Sequence, residues 1–240
     1  MFAFRNNYCI KTKNPVLYGD EASPPVRFVM MTASFLNIDI DFHKVDLFKL
    51  EHKTDFFTKI NPLQTVPALF DGSIICDSHA IALYLCRKCN DDELYPQDII
   101  LKSRIDEMLF FNCSTLFPID KLILSDFFIG KWPANNILIQ NWYSALDHLE
   151  HRLDQHKWLS DNKLRLCDLC CATTVSSLNV LIPMLDRHIK VKEWLKKLEY
   201  LPFYYNVNSL GLKRLQDFCT VNRFTLPQNI KISVVSLRNY

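Results

Sequence analysis

Two rhythms in one chain predict an α+β protein. Up to residue 90, short strand-like runs alternate with helix-like stretches; beyond residue 94 the strand signals fade and apolar residues recur at helical spacing. Between them, CNDDELYPQD (89–98) has the charge, polarity and proline of a connecting segment. The expected organisation is a β-α-β-α-β-β-α unit over 15–90, a linker over 91–97 and an all-helical domain over 98–224. Residues 1–14 are expected to form a disordered leader, and 225–240 a tail that fits neither pattern.

PVLYGD (15–20) is a short apolar run that ends in turn residues, as a first strand would. SPPVRFVMMTASFLN (23–37) follows, with Ser23 at the N-cap and Pro24 at the first helical position. Its Val26, Val29, Met30, Ala33 and Leu36 recur at helical spacing. IDIDFHKVDL (38–47) alternates like a half-buried strand, and EHKTDFFTKI (51–60) reads as a short helix. PALF and SIIC are joined by Asp71-Gly72, a hairpin signal because both positions tolerate positive φ. SHAIALYLCRKC (78–89) closes the unit as a helix. Helical periods then cover 98–128, 135–156, 168–185, 189–199 and 200–218.

Composition removes several function classes. A net charge of +2 supplies no basic stripe for nucleic acid. With only four glycines there is no GxGxxG or Walker loop. No apolar run approaches a membrane span, and MFAFRNNYCIKTKN lacks the apolar stretch of an export signal. Nine cysteines cannot all pair within one chain, so reduced thiols in the cytoplasm are expected. Cys86/Cys89 and Cys167/Cys170 have metal-like spacing but sit in helix-patterned segments, which favours plain thiols over zinc. His148, His151 and His156 lie on a charged helix face without an HExxH pattern. No metal is expected.

The chemistry concentrates in the first half. A β-α-β-α-β-β-α unit whose third strand opens on proline suggests a thioredoxin-like fold. There, Val66 before Pro67 would offer an unpaired strand edge to a peptide laid beside it. Thioredoxins carry a reactive CxxC where this chain has Ser23-Pro24-Pro25-Val26. A hydroxyl at a helix N-terminus cannot exchange disulfides. It can donate a hydrogen bond to a thiolate that arrives on a ligand, and with the helix dipole lower a thiol pKa from about 8.5 toward neutrality.

With SPPVR, NPLQTVPAL, DSHAI and a two-domain length on the page, the chain resembles the cytosolic glutathione transferases, within them the insect delta/epsilon group. The resemblance spans residues 15–220. It implies that Ser23 activates the glutathione thiol and that His52 and Gln64 hold the glycyl end. Val66 and Pro67 would serve the cysteinyl backbone, and Asp77 and Ser78, with His79 beside them, the γ-glutamyl end. An acid suits the ligand's ammonium; a hydroxyl and helix N–H groups suit its carboxylate. Three positions depart from the family pattern. Gln64 replaces the usual His, Asp77-Ser78-His79 replaces Glu-Ser-Arg, and Arg165-Leu-Cys-Asp168 lacks the hydroxyl of a Ser/Thr-x-x-Asp capping box. That last loss implies a stability cost of about 1 kcal/mol unless Ser160 or Asn162 substitutes. The family also implies a homodimer.

The second substrate is expected between the domains. In MLFFNCSTLFPIDKLILSDFF (108–128), Phe117, Asp120, Leu124 and Phe128 share one helix face. An aspartate in that row is costly to bury alone. It either sits at a pocket rim, solvated or paired with Lys121, or accepts a hydrogen bond from a hydroxyl on a large apolar ligand. SPPVR, the DSHAI helix start and this element are similar to the noppera-bo subfamily, epsilon-class transferases of ecdysteroid-producing tissue. That similarity implies a steroid or sterol ligand for Asp120 and a pocket of Pro24, Leu47, Phe48, Phe117, Leu124, Ser125 and Phe128. Two functions follow: a transferase acting on a hydrophobic electrophile, or a non-catalytic steroid carrier of the same fold.

Overall fold

The computed structural model describes residues 14–225, so nearly all of the expected leader and tail lie outside the described residues. The first half follows the predicted order: β1 (Val16–Gly19), α1 (Pro24–Phe35), β2 (Asp41–Lys44), α2 (Asp55–Ile60), β3 (Ala68–Phe70), β4 (Ile74–Cys76) and α3 (Ser78–Lys88). The sheet runs β2-β1-β3-β4, with β1 parallel to β2 and antiparallel to β3. The mixed pairing follows from the connections: a helical crossover joins β1 to β2, whereas a tight turn joins β3 to β4.

Three local predictions needed correction. β2 covers only 41–44 of the expected 38–47, because β1 offers just four partners, Val16↔Asp41 through Gly19↔Lys44. The expected 51–60 helix divides into a 3-10 turn (Glu51–Lys53) and α2, because extended Thr54 interrupts it and caps the amide of Phe57. In the hairpin only Gly72 takes positive φ, at 78°. Asp71 instead accepts from Tyr84 Oη at 2.7 Å and pairs with Lys88, fastening the hairpin to α3.

The second half is helical. α4 (Ile99–Phe111), a π-turn segment (Asn112–Leu116) and α5 (Phe117–Phe128) run as one rod. Pro118 lacks the amide that would bond the Ser114 carbonyl, and the wider turn absorbs that loss. By length and composition this rod could cross a membrane, contrary to the expectation that no run is long enough. Its Ile105, Met108, Leu116, Ile123 and Phe127 instead fill the interior. α6 (Asn136–Gln155), α7 (Leu166–Asn179), α8 (Ile189–Glu199), α9 (Pro202–Tyr204), a second π turn (Tyr205–Ser209) and α10 (Leu210–Thr225) complete the domain. The predicted 168–185 helix therefore starts earlier and stops at Asn179, and the predicted 200–218 helix is broken.

A small core lies between the sheet and its helices, built on Leu17, Val26, Val29, Leu69, Ile81 and Leu85. The larger core crosses the domain boundary, joining Phe28, Met31 and Ala82 to the helical residues around Trp142, Leu169 and Trp194. The expected linker is not a free connector, since Leu94 and Tyr95 are buried in that core. Arg165 explains this: its guanidinium binds the Glu93 carbonyl and Asp161, while Leu166 N–H donates to the Leu94 carbonyl at 3.0 Å. The missing capping hydroxyl is thus exchanged for a linker anchor. Neither Ser160 nor Asn162 replaces it: Ser160 Oγ has no partner and Asn162 accepts from Lys157 N–H.

Candidate active site

Ser23 stands at the N-cap of α1, buried at 7 % exposure, and its side chain makes no capping hydrogen bond. The sequence accounts for half of this. A capping oxygen takes the N–H of the second or third helical residue, and Pro25, the second, has none. The hydroxyl therefore stays at a helix N-terminus without a local acceptor role. A turn positions it: Ser23 N–H donates to the Asp20 carbonyl at 2.9 Å, and Arg27 N–H donates to the Ser23 carbonyl at 3.1 Å.

The predicted peptide clamp surrounds strands β3 and β4. Val66–Pro67 is cis, and Val66 lies outside the paired register, which begins at Ala68. Gln64 and Asp77 adopt positive φ, 55° and 77°, although neither is glycine. Such strain concentrates at binding loops and persists only where the surroundings enforce it. Gln64 Nε2 donates to Thr58 Oγ1 at 2.9 Å, which fixes its amide. His52 presents a buried Nδ1 with no partner, and burial, then Lys53, pushes its pKa down toward the neutral imidazole. Asp77 caps α3 through the amides of His79 and Ala80. The His79 side chain, followed by those amides, holds its carboxyl below the usual range against partial burial.

Ser78 is buried and Asp77 exposed, so the two present different surfaces at the start of α3. His79 turns toward the helical domain. Its Nε2 lies 3.3 Å from Cys170 Sγ on α7, and its Nδ1 lies 3.7 Å from Asp77 Oδ1. The ring is thus a strut between α3 and α7 rather than an open ligand contact.

Asp120 is not at a rim. It is 1 % exposed, its Oδ1 has no hydrogen-bond partner, and Lys121 beside it points to solvent. Burial pushes its carboxyl up to about 8, opposed by the charge of Arg27, and so favours the protonated acid. Arg27 is itself fully buried. All five of its donors are used: Nε on Asn208 Oδ1, Nη1 on the carbonyls of Glu21 and Ala22, and Nη2 on the Thr173 carbonyl and Ser177 Oγ. Burial lowers its pKa to about 10, well above neutrality.

Among the other predicted pocket residues, Pro24 and Leu124 are buried, Leu47, Phe48 and Phe117 half-buried, and Ser125 and Phe128 exposed. Phe48 and Phe128 meet edge-on at 6.2 Å. Sequence reasoning missed what joins them: Phe218 of α10 stacks on Phe48 at 3.8 Å and meets Phe128 at 5.3 Å. It also missed Asp20, Arg27 and Arg214. Arg27 lies in the quoted SPPVR, yet a buried arginine leaves no local signature. Phe218 and Arg214 sit in an ordinary amphipathic helix far along the chain.

Neither quoted cysteine pair has metal-like surroundings: Cys86 is buried and Cys89 exposed at the end of α3, and burial raises both thiol pKa values. Cys167 and Cys170 are buried on α7, where burial raises both thiol pKa values well above the ordinary range. Among the described residues no group of His, Cys, Asp and Glu is arranged to hold a metal ion.

Comparison with known proteins converges on this architecture. Residues 22–88 match the family model "Glutathione S-transferase, N-terminal domain". Glutathione S-transferase 1 of Manduca sexta is 34 % identical over 209 residues, covering 85 % of this chain and 94 % of the relative. An epsilon-class glutathione S-transferase from the housefly, Musca domestica, superposes with a TM-score of 0.82 at 33 % identity, over 87 % of this chain and 98 % of that one. A glutathione transferase homologue from Drosophila mojavensis, with bound glutathione, superposes equally well at 33 % identity, over 87 % and 97 % of the two chains.

Proposed function

The chain belongs to the glutathione S-transferase family, and from that premise we propose that Ser23 is the group that activates the thiol. The supporting observation is a buried hydroxyl at a helix N-terminus that is spent on no cap. Donating to a cysteinyl sulfur, it stabilises the thiolate together with the helix dipole, and the thiolate attacks an electrophilic carbon and displaces its leaving group, as the halide of an aryl halide, or isomerises an unsaturated ketone. The tripeptide lies along Val66, with its γ-glutamyl end at Asp77 and Ser78 and its glycyl end at His52 and Gln64. The unpartnered His52 Nδ1 supports that placement. Ser23→Ala is expected to lose conjugation of a generic aryl halide by about a hundredfold while glutathione affinity is retained. Equal activity in wild type and Ser23→Ala would remove the serine from the chemistry. Inactivity in both, with steroid still bound, would favour the carrier reading, against which the uncapped Ser23 weighs.

The second substrate is a large hydrophobic molecule, steroid or sterol in kind, and the role one in ecdysteroid biosynthesis. Asp120 supports this reading. A protonated carboxyl with an unused oxygen, buried on the helix that also carries Leu124 and Phe128, can both donate to and accept from one hydroxyl. A hydroxylated steroid is expected to inhibit conjugation, and Asp120→Ala to weaken that inhibition by at least ~1 kcal/mol, about fivefold. Unchanged inhibition would leave Asp120 without a ligand role. The protein works in the cytoplasm, in keeping with eight described cysteines that are all free thiols. It pairs as a homodimer, for which exposed Leu63 and Phe110 offer apolar surface. Light scattering should then return twice the 28.2 kDa chain mass, and a monomer would refute the pairing.

A further inference from the structure

The turn that presents Ser23 is organised by one carboxylate. Asp20 has no exposed surface. Its carbonyl accepts from Ser23 N–H at 2.9 Å, Oδ1 accepts from Ala22 N–H at 3.0 Å, and Oδ2 accepts from Leu47 N–H at 3.0 Å. One side chain therefore ties the backbone entering Ser23 to the backbone entering Phe48. The remaining acceptor capacity is taken from 194 positions away, where Arg214 of α10 places Nε on Oδ1 at 2.8 Å and Nη2 on Oδ2 at 3.0 Å. Such a two-point fork fixes direction as well as distance.

Arg214 has further contacts on the same loop. Its Nη2 lies 3.3 Å from Asp46 Oδ2, and its guanidinium carbon lies 5.0 Å from the Phe48 ring centre. Three residues earlier, Gly211 brings the α10 backbone against the turn: a Cβ there would meet the Glu21 carbonyl oxygen at 2.5 Å and Arg27 Cδ at 2.6 Å. The helix is thus pressed onto the Ser23 turn at a residue without a side chain and locked there by the fork one turn on.

We propose that Arg214 is a positioning residue for thiol activation: through Asp20 it holds the Ser23 turn and the Phe48 loop in one geometry, so the last described helix governs chemistry at the first. This rests on the reading of Ser23 as the thiol-activating group. The reason is geometric. A hydroxyl stabilises a thiolate only within a narrow range of distance and angle. Without the fork, Asp20 is a buried carboxylate with two donors fewer, and the turn it organises gains freedom. The other charges near the pair are Asp46, with Lys49 at 3.9 Å, Glu21, paired with Lys44 at 2.8 Å, and Arg27 beneath the turn.

The test compares wild type, Arg214→Gln, Arg214→Lys and Ser23→Ala. It measures the pH dependence of conjugation of a chlorinated dinitrobenzene and the ultraviolet absorbance of the thiolate in bound glutathione without electrophile. Arg214→Gln is expected to move the apparent thiol pKa up toward that of free glutathione and to lower kcat/KM near neutrality about tenfold, with KM for glutathione unchanged. Arg214→Lys, which keeps the charge but not the fork, should fall between. An unchanged thiol pKa accompanied only by a lower melting temperature overturns the proposal, leaving Arg214 as a stabilising contact. If the Gln variant does not fold, the Lys variant decides by the same criterion. Full activity in Ser23→Ala would sink the underlying reading of the serine and this proposal with it, and is distinguishable from a failure at Arg214 alone.

Discussion

Asp120 shows how far burial can invert the behaviour of one side chain. In water a carboxyl of this kind ionises near pH 3.9; inside this protein its pKa is pushed up to about 8. Between those values the folded chain keeps a proton that the unfolded chain has lost, so stability falls as pH rises across that window. Asp168, raised to about 7 by burial against three hydrogen bonds, acts in the same direction over a narrower range. Asp20 works the other way: its pKa is lowered, chiefly by Arg214 against the cost of burial, so its contribution is lost in acid, below the Asp120 window. The urea midpoint of the wild type is therefore expected to decline from pH 5 to pH 8. Asp120→Asn keeps the size and the polarity but cannot ionise, so its midpoint should decline less. Identical slopes in the two proteins would mean that Asp120 ionises freely in the folded state. The same residue marks the limit of reading a single position from sequence. Its oddness among Phe117, Leu124 and Phe128 was legible, because helical spacing alone places it there. Its depth and its neighbour Arg27 were not, because both depend on how α1 meets the second domain.

At the level of elements, what was legible is what local chemistry enforces. Pro24 at the first helical position marked the start of α1, Asp77 capped α3, and the Asp-Gly turn joined β3 to β4, each by rules that act within four residues. Boundaries failed where the deciding partner is remote. β2 is short because β1 is short, which its own alternation does not encode. α7 begins at Leu166 because Asp168 reaches back to Arg165 N–H at 2.9 Å and also holds Leu159 N–H and Trp194 Nε1. The absent capping hydroxyl looked like a loss from sequence, yet Arg165 uses its position to anchor Glu93 and Leu94. The candidate site divides along the same line. Ser23 and the Val66, Asp77, Ser78 clamp were readable from motifs, whereas Asp20, Phe218 and Arg214 belong to it only through contacts across most of the chain. His79 is the intermediate case: its place at the start of α3 was legible, but its ring turned to Cys170, a partner 91 residues away.

The whole molecule is expected to unfold as one unit despite its two architectures, because the larger core ignores the domain boundary. Phe28, on α1 of the first half, is 1 % exposed and packs in the same cluster as Trp142 and Trp194 of the second. Arg27, the preceding residue, donates to the Thr173 carbonyl and to Ser177 on α7, so removing the interface would strand a buried cation. Two domains joined this way lack a low-energy route to opening separately, since either one unfolding alone would expose the shared apolar surface of the other. The chain offers a convenient reporter: all four tryptophans, Trp132, Trp142, Trp158 and Trp194, lie in the helical half. Phe28→Ala leaves a cavity on the other side of the boundary and should cost about 3–5 kcal/mol. Tryptophan fluorescence is then expected to follow a single transition whose midpoint falls with that of circular dichroism. A fluorescence midpoint that stays at the wild-type value while the dichroism transition splits would show that the halves unfold independently. In that case α10 could no longer hold the Ser23 turn as the first half loosens, because Asp20 and Arg214 sit on opposite sides of the same boundary.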